Sequence, residues 1–129
     1  MRDHKNTMHE YPAKIRRVID GDTVDMTIDL GFRVSVNVRA RLFGLDAPEI
    51  TGPTAHKGKA AAAWLSERLA TRPAWTIKTY KQDSADKYGR YLVLITDQPA
   101  ADEFDRTINA EMIAAGYATP YLASPSTTP

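Results

Sequence analysis

The feature that most constrains this chain is the alternation between residues 24 and 42. Val24, Met26, Ile28 and Leu30 recur at every second position, and beyond Gly31 so do Val34, Val36, Val38, Ala40 and Leu42. Successive side chains of a strand point to opposite faces, so a period of two with one apolar set specifies two strands, each turned toward a core. The glycine between them marks a turn, and the strands are expected to pair antiparallel. The same parity puts Arg39 and Arg41 on the face opposite the valines.

Around this pair the chain supplies a clear order of elements. Residues 12 to 20, PAKIRRVID, are β-rich but alternate poorly, the pattern of a strand with a bulge. After the Gly52-Pro53 loop, Ala61, Leu65 and Leu69 recur at four-residue spacing beside Trp64, and Pro73 stops that helix. AWTIKTY then alternates Trp75, Ile77 and Thr79 as a fourth strand, and RYLVLIT at 90 to 96 is apolar enough to be buried on both faces. Asp105 is placed to cap a final helix in which Ile108, Met112 and Ala115 share a stripe, and Gly116 to end it. The order β-β-β-α-β-β-α predicts a mainly β, α+β domain: a five-stranded Greek-key barrel of OB type with two helices. With 129 residues and 43% hydrophobic content, one domain with one modest core is expected. Its bounds are set at 11–120, after a flexible N-terminal segment, 1–10, and before a tail, 121–129, whose Ser, Thr and Pro content points to disorder.

Composition narrows the chemistry. There are no cysteines, which excludes disulfides, thiolate catalysis and Cys-based zinc sites. The histidines, at 4, 9 and 56, form no ligand spacing, so a metal would have to be held by oxygen. No apolar run approaches the ~18 residues of a membrane span, and the N-terminus, MRDHKNTMHEYP, lacks the apolar centre of a signal peptide. A soluble chain is expected, with the cytoplasm as default compartment, no membrane partner and a monomer as the simplest state. The net charge of +1 conceals a segregation: residues 51–90 hold eight Lys or Arg against three acids, +5, and residues 91–129 one Arg against five acids, −4. A polyanion could be met locally by the basic half.

Three short segments carry the remaining signal. VIDGDTVD sets Asp20, Asp22 and Asp25 around a glycine. RLFGLDAPE places Asp46, Ala47 and Glu49 just beyond the strand that carries Arg41, and DKYGR places Lys87, Tyr88 and Arg90 around a glycine turn before a strand. Each alone reads equally well as a turn, with Asx bonding in the first. An EF-hand is excluded: counting from Asp20, the sixth residue is Asp25 where glycine is needed, and the twelfth is Gly31 where a bidentate Glu is needed.

Taken together and in this order, VIDGDTV, RLFGLDAPE and DKYGR closely resemble the active-site segments of the staphylococcal nuclease (thermonuclease) family, and INAEMIAAGYA resembles its last common helix. The resemblance runs from about Lys14 to Ala118. It implies that Asp22 and Asp46 hold Ca²⁺ together with the backbone carbonyl of Ala47. It implies further that Glu49 is the general base or orienter of the attacking water, that Arg41 and Arg90 grip the scissile phosphate, and that Lys87 and Tyr88 contact the terminal phosphate and sugar of bound nucleotide. Arg39 matches no family site. The base-stacking tyrosine of the family is not matched without a gap: Tyr121 is one position out, and Tyr117 and Tyr121 each suit either the core or a stacking role.

The chemistry explains these residue types. A phosphodiester is anionic, so its hydrolysis needs charge neutralisation, a positioned water and donors for a five-coordinate phosphorus. An ion held by two carboxylates and a carbonyl keeps positions open for water and phosphate, and an arginine fork donates two parallel hydrogen bonds. The resemblance thus implies a calcium-dependent nuclease acting on DNA and RNA, single strands preferred, with low sequence specificity and 3′-phosphate products. The alternative is a catalytically silent module of the same fold that binds single-stranded nucleic acid or protein.

Overall fold

The two alternating segments are antiparallel neighbours in the computed structural model of the chain, which describes residues 9–79, 91–98 and 104–121. The elements run β1 (His9–Asp20), β2 (Thr23–Gly31), β3 (Val34–Leu42), β4 (Leu45–Asp46), α1 (Ala55–Leu69), β5 (Trp75–Thr79), β6 (Tyr91–Thr96), α2 (Ile108–Ala114) and β7 (Thr119–Pro120). Five of the strands close a barrel in the order β1-β2-β3-β6-β5, with β5 pairing back onto β1 and β6 running parallel to β3. The expected OB-type architecture, mostly β with two helices, is therefore the observed one.

β1 is long and doubly bulged, with register shifts between Ile15 and Arg17 and between Val18 and Asp20. The first bulge flips the side-chain parity, which explains the poor alternation in sequence: Ile15 and Val18 pack on the core while Arg16 and Arg17 are both exposed. In β2 and β3 the alternating residues Val24, Met26, Ala40 and Leu42 are wholly buried. Toward the turn, however, Leu30, Val34 and Val36 are exposed, because the far end of the hairpin overhangs the barrel. The turn itself is Phe32-Arg33, both with positive φ (56° and 64°). That backbone is usually left to Asn-Gly or Asp-Gly.

α1 lays Ala61, Leu65 and Leu69 on the core, as their spacing requires, and Trp64 stacks on Tyr117 with ring centroids 5.6 Å apart. Of the segment 90–96 expected to be buried on both faces, residues 93 to 96 of β6 are, whereas Tyr91 is exposed, Leu92 is half-buried and Arg90 lies outside the described residues. α2 departs from expectation at its start. Its N-cap is Thr107, whose hydroxyl accepts the Ala110 N–H, whereas Asp105 lies in a preceding 3-10 turn. Ile108 and Met112 are buried but Ala115 is exposed. The helix ends at Gly116 (φ 88°), where the Gly116 and Tyr117 amides return to the Ile113 and Met112 carbonyls.

Asn109, on α2, is fully buried and ties β6 to the residue that follows β3: its Oδ1 accepts the Ile95 N–H at 3.0 Å, and its Nδ2 donates to Phe43 O at 2.9 Å and Val93 O at 3.1 Å. Unforeseen in sequence is the short β4–β7 pair, Leu45 on Pro120 and Asp46 on Thr119. The expected terminal segments fall largely on residues 1–8 and 122–129, outside the described residues. Among the described residues no helix is long and apolar enough to cross a membrane.

Candidate active site

One mouth of the barrel gathers the β1–β2 turn, the end of β3 and the β4 segment. Asp20 makes the Asx turn foreseen for this region, its Oδ1 accepting the Asp22 N–H at 3.1 Å. The Asp22 carbonyl in turn accepts the Leu42 N–H, tying the turn to the end of β3. Two glycines let the next segment come close. A methyl on Gly21 would stand 2.7 Å from the Ala47 Cβ and 3.0 Å from that of Ala61, and one on Gly58 would overlap the Glu49 carbonyl. A glycine inside a helix normally costs about 1 kcal/mol relative to alanine; at Gly58 it allows α1 to pack directly against the Glu49 backbone.

Asp22 is buried, and its Oδ2 accepts Arg41 Nη1 at 2.9 Å and the Ala47 N–H at 3.2 Å. Arg41 Nη2 donates to the Leu45 carbonyl at 3.0 Å and, more loosely, to Asp46 Oδ1 at 3.4 Å. The guanidinium thus bridges the two carboxylates, one nearly buried and the other 58% exposed. It also lies over the Tyr121 ring, 5.5 Å from the centroid, and the Tyr121 N–H donates to the Gly44 carbonyl. Tyr121 is therefore a partly exposed residue of this mouth, whereas Tyr117 packs on the core with Trp64.

The charges here are unequal. Burial would push the Asp22 carboxyl up, but its hydrogen bond with Asp20, the Arg41 charge and the Ala47 N–H hold it below the ordinary value. Asp20 moves the other way: burial, then the hydrogen bond and charge of Asp22, raise it from 3.8 to about 6. Arg41 is held above its usual value by Asp22 and Asp46, against the opposing effect of burial. Three carboxyls and one guanidinium leave an excess of negative charge when all are ionised.

Of the residues singled out in sequence, Asp22, Arg41, Asp46 and Ala47 are thus brought together. Glu49 follows on the same segment, its side chain exposed. Lys87, Tyr88 and Arg90 lie outside the described residues; Tyr91, the first described residue of β6, pairs with Ala40 beside Arg41. Asp25 does not join the cluster. It sits on the outer face, where Arg39 binds it through Nε (2.7 Å) and Nη2 (3.1 Å) and Arg17 approaches to 3.4 Å.

A family model described as staphylococcal nuclease homologue matches residues 39–128, a span that takes in Arg41, Asp46, Glu49, Lys87, Tyr88 and Arg90 and begins after Asp22. Protein ParB of Escherichia coli is 28% identical over 115 residues, covering 87% of this chain and 58% of that protein. The chain thus spans a little over half the length of that relative. A match over most of the chain, on a closed five-stranded barrel of the expected OB type, makes this protein a member of the staphylococcal nuclease homologue family.

Proposed function

We propose that this protein is a calcium-dependent nuclease that hydrolyses phosphodiester bonds of DNA and RNA with low sequence specificity, prefers single strands and leaves 3′-phosphate ends. The observation that carries this reading is Arg41 held between Asp22 and Asp46 at the barrel mouth. A structural ion pair needs one carboxylate; a second, exposed one at 3.4 Å is weakly engaged and available to another cation.

The donor set fits a hard divalent ion. Asp22, Asp46 and the Ala47 carbonyl would hold Ca²⁺, and the excess negative charge with Asp20 favours its arrival. Among the described residues no cluster of three ligating side chains exists. Affinity is therefore expected in the weak 10⁻⁴ to 10⁻³ M class, on the order of extracellular modules, until substrate oxygens complete the shell. Bound there, the ion supplies charge neutralisation at a phosphate oxygen and a more acidic water.

The residues of the chain do the rest. Arg41 keeps its short bond to Asp22 and turns its looser arm from Asp46 to a phosphate oxygen; Arg90, by family resemblance, supplies a second fork. Glu49 takes the proton of the attacking water as the P–O5′ bond breaks, and the departing oxygen is protonated from solvent. Tyr121 offers an exposed ring face beside Arg41 for a base, with Lys87 and Tyr88 assigned to the terminal phosphate and sugar.

A second reading rests on the same bridge: Arg41 as permanent counter-ion of Asp22 and Asp46, in a domain that binds single-stranded nucleic acid or protein without cutting it. Incubation of single-stranded DNA with the protein in Ca²⁺, in Mg²⁺ and in chelator separates the two. Cleavage in Ca²⁺, little in Mg²⁺ and none in chelator is expected, and single strands should be cut faster than duplex of matched sequence. Binding without cleavage in Ca²⁺ would favour the silent module.

A further inference from the structure

The outer face of the β1–β2–β3 sheet continues away from the candidate active site in ordered rows. Register places Asp20, Thr23 and Arg41 in the first row; Arg17, Asp25 and Arg39 in the second; Lys14, Thr27 and Asn37 in the third; and Asp29 beside Ser35 in the fourth. Each row lies two residues, about 6.6 Å, beyond the last, a step comparable to one extended nucleotide. The bulge adds Arg16 to the same face. Beyond the first row this surface carries Lys14, Arg16, Arg17, Arg33 and Arg39 against Asp25 and Asp29, a net +3 on a molecule whose total is +1. Among the described residues, Lys14 and Arg16 make no ion pair.

At the far end lies a groove of about 340 Å³ whose lining includes Lys14, Thr27, Asp29, Arg33 and Ser35. The tip beside it is Phe32, 98% exposed. Phe32 and Arg33 hold the positive-φ turn that a glycine or asparagine would adopt at lower cost. An exposed aromatic ring and an arginine kept on a strained turn, at the end of a basic strip and next to a groove of this size, have the chemistry of a base-stacking platform.

We propose that this face is an extended track for the single strand flanking the cleaved phosphate. Arg39, Arg17, Arg16 and Lys14 follow its phosphates, and Phe32 with the groove under Arg33 takes a base several nucleotides from the cut. The proposal rests on the nucleic-acid reading of the site but not on its catalytic competence.

The test uses two variants of the full chain, Lys14→Gln/Arg16→Gln and Phe32→Asn/Arg33→Gly, and two probes, an oligothymidine of twelve nucleotides and a dinucleotide that reaches only the barrel mouth. Neither variant touches the proposed catalytic groups, and the second should raise the denaturation midpoint because it relieves the turn. On the long probe, KM should rise about tenfold for either variant with kcat unchanged, in line with the loss of one stacked base or two phosphate contacts. On the dinucleotide both should match the parent. The salt dependence of long-probe binding should flatten by about 1.4 for Lys14→Gln/Arg16→Gln, at roughly 0.7 per phosphate on a single strand. Equal effects on both probes, or none on either, overturn the track. If the parent cuts neither probe, the nuclease reading fails, and fluorescence anisotropy of the long probe in chelator decides the track separately: weaker binding by both variants supports it, and parental binding overturns it.

Discussion

Asn109 should be worth more to this fold than any exposed charge. Replacing it by alanine removes an acceptor for the Ile95 N–H and donors to the Phe43 and Val93 carbonyls. Val93 O keeps the Phe43 N–H at 2.9 Å, so the clearest loss falls on the buried Ile95 N–H, whose acceptor is the Asn109 Oδ1. A buried group left without a partner costs about 1–3 kcal/mol, so Asn109→Ala should be less stable by about that amount, a large share of the 5–15 kcal/mol typical of a domain. Asn109→Asp is the sharper variant: its carboxylate still accepts from Ile95 but faces the two carbonyls, so above the carboxyl pKa it should be at least as damaging. Urea denaturation at neutral pH measures both. Because Phe43 lies between Arg41 and Asp46, the loss should also lower activity at temperatures where the variant remains folded. A loss below about 1 kcal/mol for Asn109→Ala would refute the reasoning, since it would mean that water reaches these groups or that the bonds contribute nothing net.

Two further outcomes are expected. Gly58→Ala gains about 1 kcal/mol of intrinsic helix propensity but drives a methyl into the Glu49 carbonyl. It should therefore denature at lower urea and cleave roughly 10²-fold more slowly, as small displacements of catalytic groups do; a more stable, fully active variant would show that the contact is not made. Asp20→Asn tests the charge excess. A carboxyl raised from 3.8 to about 6 contributes stability that is fully present below pH 3.8 and lost as pH rises through 6. At 1.36 kcal/mol per pH unit that is at most about 3 kcal/mol, and partial exposure reduces it to about 1. The asparagine variant should accordingly be about 1 kcal/mol more stable than the parent at pH 7.5 without Ca²⁺ and equal to it below pH 4; a gain of the same size at both pH values would contradict the assignment.

Much of this was legible because the informative residues stand where local rules are strict. The period of two fixed the faces of β2 and β3 and so put Arg41 outside and Leu42 inside. The poor alternation of β1 was a true sign of its bulges. Other features obey rules that a single strand or helix does not reveal. Thr107 and Asp105 are both competent caps, and which one starts α2 depends on where Ile108 meets the core. The β4–β7 pair is two residues long on each side, too short for any periodicity, yet it brings Tyr121 to Arg41. Leu30, Val34 and Val36 keep the alternation of buried residues past the end of the barrel, so pattern alone could not show where the core stops. Gly58 did leave a signal, a glycine within a helical run, but its reason is a backbone from another part of the chain. Asn109 reads as an ordinary helix residue until β3 and β6 are placed beside it.

The most direct test of the central claim is single-turnover cleavage of single-stranded DNA in Ca²⁺ by Glu49→Gln, paired with calcium-dependent nucleotide binding by the same preparation. Glu49 is exposed and its side chain holds no part of the core, so the variant should fold as the parent does. If Glu49 takes the proton of the attacking water, the rate should fall by roughly 10² to 10⁴ while binding survives. A rate within about threefold of the parent, in protein that still binds Ca²⁺ and nucleotide, would contradict the mechanism, because a general base cannot be lost at so small a cost.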